Sequence, residues 1–235
     1  MRPTDHHSQI RAWGYVIVAL CISLSLSAQS FVTDRGLLDA YLQNDMSVWK
    51  AHIDTASVTP HLLAYEYGYC AALMDIDKNQ ASPYVDMFRE HIEFIKETLP
   101  PGHYQMYMSA VYVYKLRLHE SIHPVKALSL AKEAVEYAPN DPMTLSYCGT
   151  ALFYAPKPFG NKNDALDLFL RAEQLFKDEQ WYNCWWRPAT LMYIAQCYEK
   201  KGKTSEAINR AKALLAEYPD YLYIRDTYLP NLILQ

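Results

Sequence analysis

The chain has 235 residues, 51% of them apolar, and only 7 glycines, which suits one domain with a sizeable core and excludes a turn-rich β-fold. Its formal net charge is −4 and no run of Lys and Arg offsets it, so neither nucleic acid nor an anionic membrane surface is an expected partner. A Gly-rich phosphate loop, a G-x-S-x-G elbow and a paired-cysteine knuckle are all missing from the sequence, so these motifs nominate no reaction and no cofactor is expected.

Residues 1–28 read as an export signal. Arg2 and Arg11 flank a polar start, Trp13 to Leu26 is almost wholly apolar, and Ser25-Leu26-Ser27-Ala28 supplies small residues for cleavage before Gln29. The apolar stretch, about 14 residues, falls short of the roughly 20 that a helix needs to span a bilayer. An exported chain, periplasmic or outer-membrane-associated, is therefore expected. An uncleaved anchor is the alternative. Acylation at Cys21 is a third reading, against which Leu20 stands where lipoprotein signals resemble one another in carrying a small residue.

Residues 29–102 carry weak helix pairs. Leu37 to Leu42 and Met46 to Ile53 form a short pair, Leu62 to Leu73 a first helix with Gly68 in its small-residue slot, and Tyr84 to Ile95 a long second helix. Pro100-Pro101-Gly102 closes the segment.

Residues 103–220 repeat. His123-Pro124-Val125-Lys126-Ala127 leads through Ala131 and Ala134 to Pro139, and Lys203-Thr204-Ser205-Glu206-Ala207 leads through Ala211 and Leu214 to Pro219; in both, alanine and closing proline are 12 residues apart. Apolar positions between them recur at helical spacing. A helix of matching phase precedes each, with Leu191, Ile194, Ala195 and Tyr198 before the later copy and Val111, Tyr114, Lys115 and Leu118 before the earlier. A middle copy has Leu145, Cys148, Gly149 and Leu152, then Ala165, Phe169 and Ala172.

These residues resemble the tetratricopeptide pattern, a helix-turn-helix of about 34 residues with a small slot on the first helix and Ala, aromatic, Ala and Pro on the second. The resemblance implies an all-α, right-handed α-solenoid. Degenerate repeats would occupy residues 29–102, clearer repeats 103–220, and a C-terminal capping helix 221–235. Ala127 to Ala165 is 38 residues and Ala165 to Ala207 is 42. The excess falls between helices, in residues 155–161 and 178–187, where a stack of repeats tolerates it. Lys115 departs from the pattern in a slot that wants a small residue, and the middle copy lacks its closing proline.

One string suggests chemistry. His119-Glu120-Ser121-Ile122-His123 is an H-E-x-x-H match, the zinc-hydrolase arrangement when it lies on one helix. Pro124 disfavours helical geometry at His123, and the repeat register puts the string at the bend between paired helices, so a zinc hydrolase is the remote alternative and no metal site is expected. Cys70, Cys148, Cys184 and Cys197 remain after signal cleavage; their spacings show no disulfide framework and three occupy small core slots, although an exported chain permits pairing.

The 20 tyrosines are the compositional oddity. Tetratricopeptide arrays present set positions of the first helices to their groove. Carried onto this chain, those positions select Leu62, Leu116, Met192 and Glu199 together with the candidate partner-binding residues Tyr65, Tyr69, Tyr112, His119, Phe153, Tyr154 and Gln196, an aromatic groove without the Lys and Asn that clamp chaperone tails. Trp181, Trp185 and Trp186 form a second aromatic cluster, either a plug under the longer insertion or a platform for a peptide or sugar ring. The implied function is a non-catalytic protein- or peptide-binding scaffold or adaptor of a Gram-negative cell envelope, reaching the membrane only through an envelope complex. A carbohydrate-binding accessory protein is the alternative.

Overall fold

The computed structural model describes residues 34–120 and 124–234; the predicted signal and its cleavage site lie outside them. The described chain is an all-α solenoid of five consecutive helix pairs and a closing helical segment. The pairs are α1 (Arg35–Leu42) with α2 (Met46–Thr55), α3 (Pro60–Ile76) with α4 (Lys78–Ile95), α5 (His103–Arg117) with α6 (Pro124–Tyr137), α7 (Pro142–Tyr154) with α8 (Lys162–Leu175), and α9 (Trp186–Lys200) with α10 (Thr204–Glu217). Residues 221–233 close the array, with a π-helical turn at Ile224–Tyr228 running into α11 (Leu229–Ile233). Pro230 has no N–H to give, and the turn before it widens so that Leu229 N–H reaches the Ile224 carbonyl. Among the described residues no helix is long and apolar enough to cross a membrane.

The helix starts are written locally. Asp34, Asp45, Thr59, Asp77, Asp141 and Asn161 each accept a backbone N–H from the first turn that follows, satisfying donors a helix cannot pair internally. Proline occupies the first position of α3, α6 and α7, where its missing N–H costs nothing. Gly102, at φ +80, makes the left-handed turn into α5.

In the last three pairs the helices meet over small residues. Ala131 and Ala134 on α6, Ala165 and Ala172 on α8, and Ala207 and Ala211 on α10 are all fully buried. A Cβ added to Gly149 would lie 2.8 Å from Phe169 Cε1 of the partner helix, so this slot has room for hydrogen alone. In α5 the close approach is made by Ser109, whose hydroxyl donates to the Ala127 carbonyl at 2.6 Å. Lys115 does not occupy that slot. It reaches Asp86 at 3.0 Å and Glu120 at 3.1 Å instead. The expected departure at Lys115 is thus a displaced register, and the small residue lies nearly two turns earlier.

The H-E-x-x-H string does not lie on one helix. α5 ends at Arg117, His119 takes a left-handed φ of +65, and Glu120 is held by Lys115. His123 lies outside the described residues, and among those described no group of three or more His, Cys, Asp or Glu side chains is gathered for a metal. Cys70, Cys148, Cys184 and Cys197 are buried free thiols. Burial pushes the Cys148 and Cys197 thiols up to about 11, so they stay protonated and inert.

Candidate functional site

First helices of neighbouring pairs touch one another, α3 with α5, α5 with α7 and α7 with α9, so they form the inner layer of the array. Between them opens a cleft of about 660 Å³. α3 contributes Tyr67, Gly68 and Ala71; α7 contributes Ser146, Thr150 and Tyr154; α9 contributes Met192, Tyr193 and Gln196. Tyr41 at the end of α1 and Tyr221, Tyr223 and Asp226 of the closing segment shut its ends.

The floor is aromatic. Trp186 stacks on Tyr67 with centroids 4.9 Å apart and planes 16° apart, and Trp185 meets Trp49 at 5.1 Å and Tyr41 at 5.4 Å. Gly68 makes this floor possible: a Cβ there would lie 2.9 Å from Trp49 Cη2 and 3.1 Å from Trp185 Cζ2. The insertion before α9 therefore places two indoles inside the array, and offset and edge-on ring contacts hold them. Below, the Ser146 and Thr190 hydroxyls are 2.6 Å apart, and Thr190 donates to the Trp186 carbonyl at 2.7 Å.

Burial pushes the Tyr41 phenol up to about 12 and those of Tyr67, Tyr193 and Tyr221 well above their ordinary value. They remain neutral hydrogen-bonding groups at any physiological pH. Among the described residues, the charged side chains lining the cleft are Asp75 and Asp226, and none is Lys or Arg. Both carboxylates are exposed at the rim, Asp75 beside Arg117 at 2.5 Å and Asp226 beside Arg225 at 2.7 Å.

The structure brings two of the seven sequence-selected groove residues to this cleft, Tyr154, which is 66% exposed, and Gln196. Tyr65 is 1% exposed, in a knot with Trp49, His52 and His61. Tyr69 is buried against Tyr84 at 5.0 Å. Phe153 is buried with Lys162 Nζ 4.4 Å above its ring. Tyr112 borders a separate shallow depression with Arg89, Glu90 and Glu93, and carries Lys126 Nζ 4.6 Å over its face. His119 is exposed in the turn after α5. Of the tryptophans, Trp185 and Trp186 are the buried floor just described, and Trp181 is half-buried, edge-on to Phe176.

Sequence reasoning missed Tyr41, Tyr67, Tyr193, Tyr221 and Tyr223. Tyr193 sits three residues before Gln196, on the same helical face, and that spacing was the available signal. Tyr67 was hidden by reading Gly68 as the contact with its own partner helix, when it faces Trp49 and Trp185. Tyr41 and Tyr221 belong to the two ends of the array, which repeat register does not relate.

No protein-family model matches the chain, and no curated protein sequence matches it. Among solved structures it is similar to a thermophilic tetratricopeptide-repeat protein of Thermus thermophilus, with a TM-score of 0.55 and 17% identity over 85% of this chain and 92% of that one. That likeness is one of fold, and it agrees with the helix-pair architecture.

Proposed function

We propose that the protein is a non-catalytic binding scaffold of the cell envelope that holds an extended segment of another protein in the cleft between α3, α7 and α9. The observation that carries this reading is the convergence of Tyr154, Tyr193, Gln196 and Tyr223, from two repeats and the closing segment, on one open cleft. Tyrosines supply large amphipathic contact area that loses little rotamer freedom on binding, and amide and phenol groups suit the carbonyls and N–H groups of an extended chain.

Selection of peptides from a random displayed library tests the reading. Selected peptides should lose about 1–2 kcal/mol of affinity with Tyr154→Ala and be indifferent to Tyr112→Ala; the reverse pattern would refute it. The envelope assignment is supported by the sequence of residues 1–28 and predicts an exported protein beginning near Gln29. N-terminal sequencing of the exported chain tests it, and Met1 retained in a membrane fraction would overturn it.

Carbohydrate binding keeps one observation in its favour. A shallow depression of about 390 Å³ sets Trp181 and Tyr137, the latter 58% exposed, beside Asn140, Asp178 and Gln180. Aromatic faces ringed by planar polar side chains suit a sugar, and a glycan array with Trp181→Ala as control distinguishes this reading.

A further inference from the structure

Among the described residues, six aromatic rings carry one of the protein's own cations on their faces. Lys50 lies over Tyr84, Lys126 over Tyr112, Lys162 over Phe153 and Lys203 over Tyr198, while Arg187 lies between Tyr182 and Tyr218, all at 4.4–6.0 Å. None of these six rings lines the cleft. The cleft holds nine aromatic side chains, and among the described residues no Lys or Arg lies over any of them. The face of an aromatic ring is the negative end of its quadrupole and attracts a cation within about 6 Å. In the cleft the floor rings Tyr67, Trp185 and Trp186 turn their faces to one another, which leaves the wall rings as the ones with a face to offer.

Tyr154 and Tyr193 stand edge to face, with centroids 6.0 Å apart and planes at 86°, so they make two walls of a corner. One face of Tyr193 is covered by Phe169 at 5.3 Å, which fixes the ring. Tyr223, 41% exposed, comes from the closing segment with one face stacked on Tyr228 at 6.1 Å. Among the described residues the charged side chains lining the cleft are the carboxylates Asp75 and Asp226, and the chain as a whole carries a net −4. Each carboxylate is paired at the rim with an arginine outside the lining, Arg117 and Arg225, so the two are largely neutralised and the ring faces carry the selectivity.

We infer that the cleft selects a positively charged guest, with a Lys or Arg side chain of the bound segment seated against Tyr154, Tyr193 and Tyr223. This rests on the peptide-binding reading above and adds the charge of the partner to it. Asp226 is held by Arg225 at 2.7 Å and adds little net charge, so the preference rests on the ring faces and persists in salt.

The test uses four pools of random decapeptides whose central residue is fixed as Lys, Arg, Gln or Glu, passed over the immobilised full-length mature protein. The Lys and Arg pools should be retained about threefold or more over the Gln pool, with the Glu pool weakest. The preference should vanish in the double variant Tyr154→Leu/Tyr223→Leu, survive in Tyr154→Phe/Tyr223→Phe, which keeps the ring faces, and be unaffected by Tyr112→Leu. Both tyrosines are exposed, and circular dichroism checks that each variant keeps its helix content. Equal retention of all four pools would overturn the charge inference and leave peptide binding standing. Retention of no pool would overturn both, and a preference that persists in the leucine double variant would remove it from this cleft.

Discussion

The hydroxyls of Tyr41 and Tyr221 lie 2.7 Å apart although 180 positions separate them in the chain. One belongs to the first described helix and the other to the segment that closes the array, so this bond ties the two ends of the described solenoid across the mouth of the cleft. Tyr221 lies also within 3.3 Å of Met192 Sδ on α9, which anchors the tie to the cleft wall.

Loss of either partner leaves the other hydroxyl poorly satisfied, at a cost of about 1–2 kcal/mol. Tyr41→Phe and Tyr221→Phe should each lower the unfolding free energy by that amount. The double variant should lose little more than one of them, because both remove the same bond. Denaturant unfolding of the three variants measures this, and strictly additive losses would show that the ends are not coupled.

Glu66 is 1% exposed on α3, 2.6 Å from His91 Nδ1 of α4. Burial raises its carboxyl to about 7, against the opposing attraction of His91. The folded carboxyl therefore binds a proton more tightly than the unfolded one, whose ordinary value is 4.5. Its contribution to stability is present in full below pH 4.5 and declines as pH rises to about 7, with a slope of at most about 1.4 kcal/mol per pH unit. Glu66→Gln should flatten the stability profile across that window and melt higher than the parent at about pH 8. A profile unchanged by the substitution would show that Glu66 is ionised at little cost.

The small slots predict overpacking. Gly149→Ala drives a methyl into Phe169, and Ala207→Leu adds bulk at a fully buried position of α10. Each should cost about 1–3 kcal/mol, measured by thermal melting. Parent-like melting of both would contradict the helix pairing described for these repeats.

Two classes of tyrosine should separate. Tyr65→Ala empties a buried site in the Trp49 knot and should cost about 3–5 kcal/mol of stability. Tyr154→Ala, at an exposed position, should leave melting within about 0.5 kcal/mol of the parent while weakening a selected peptide. Equal destabilisation by both would mean that Tyr154 is a core residue and that the cleft wall is wrongly drawn.

Architecture was legible wherever two signals coincided. In residues 142–217 small slots, aromatic partners and turn chemistry agree on one register, and the helices α7 to α10 begin and pack as that register requires. α5 has apolar or aromatic side chains at most positions from Met106 to Val113, so several registers fit its pattern, and Lys115 drew the reading to the wrong one. That slip carried Tyr112 and His119 into an expected groove, whereas Ser109 marks the true contact with α6. The cleft itself was only half legible, because three of its boundaries come from outside repeat logic: the indoles of the insertion before α9, Tyr41 on α1 and the segment around Tyr223. Repeat periodicity says which face of a helix turns inward. It does not say what a long insertion or a chain end will place against that face.

A partner held in the cleft between α3, α7 and α9 is detected most directly by hydrogen exchange with and without a peptide selected from the random library, since protection reports local opening residue by residue. Added protection is expected in residues 146–154, 189–196 and 222–227 and none in α6. Protection concentrated instead around Tyr112 and Glu90, or around Trp181 and Tyr137, would contradict binding in this cleft.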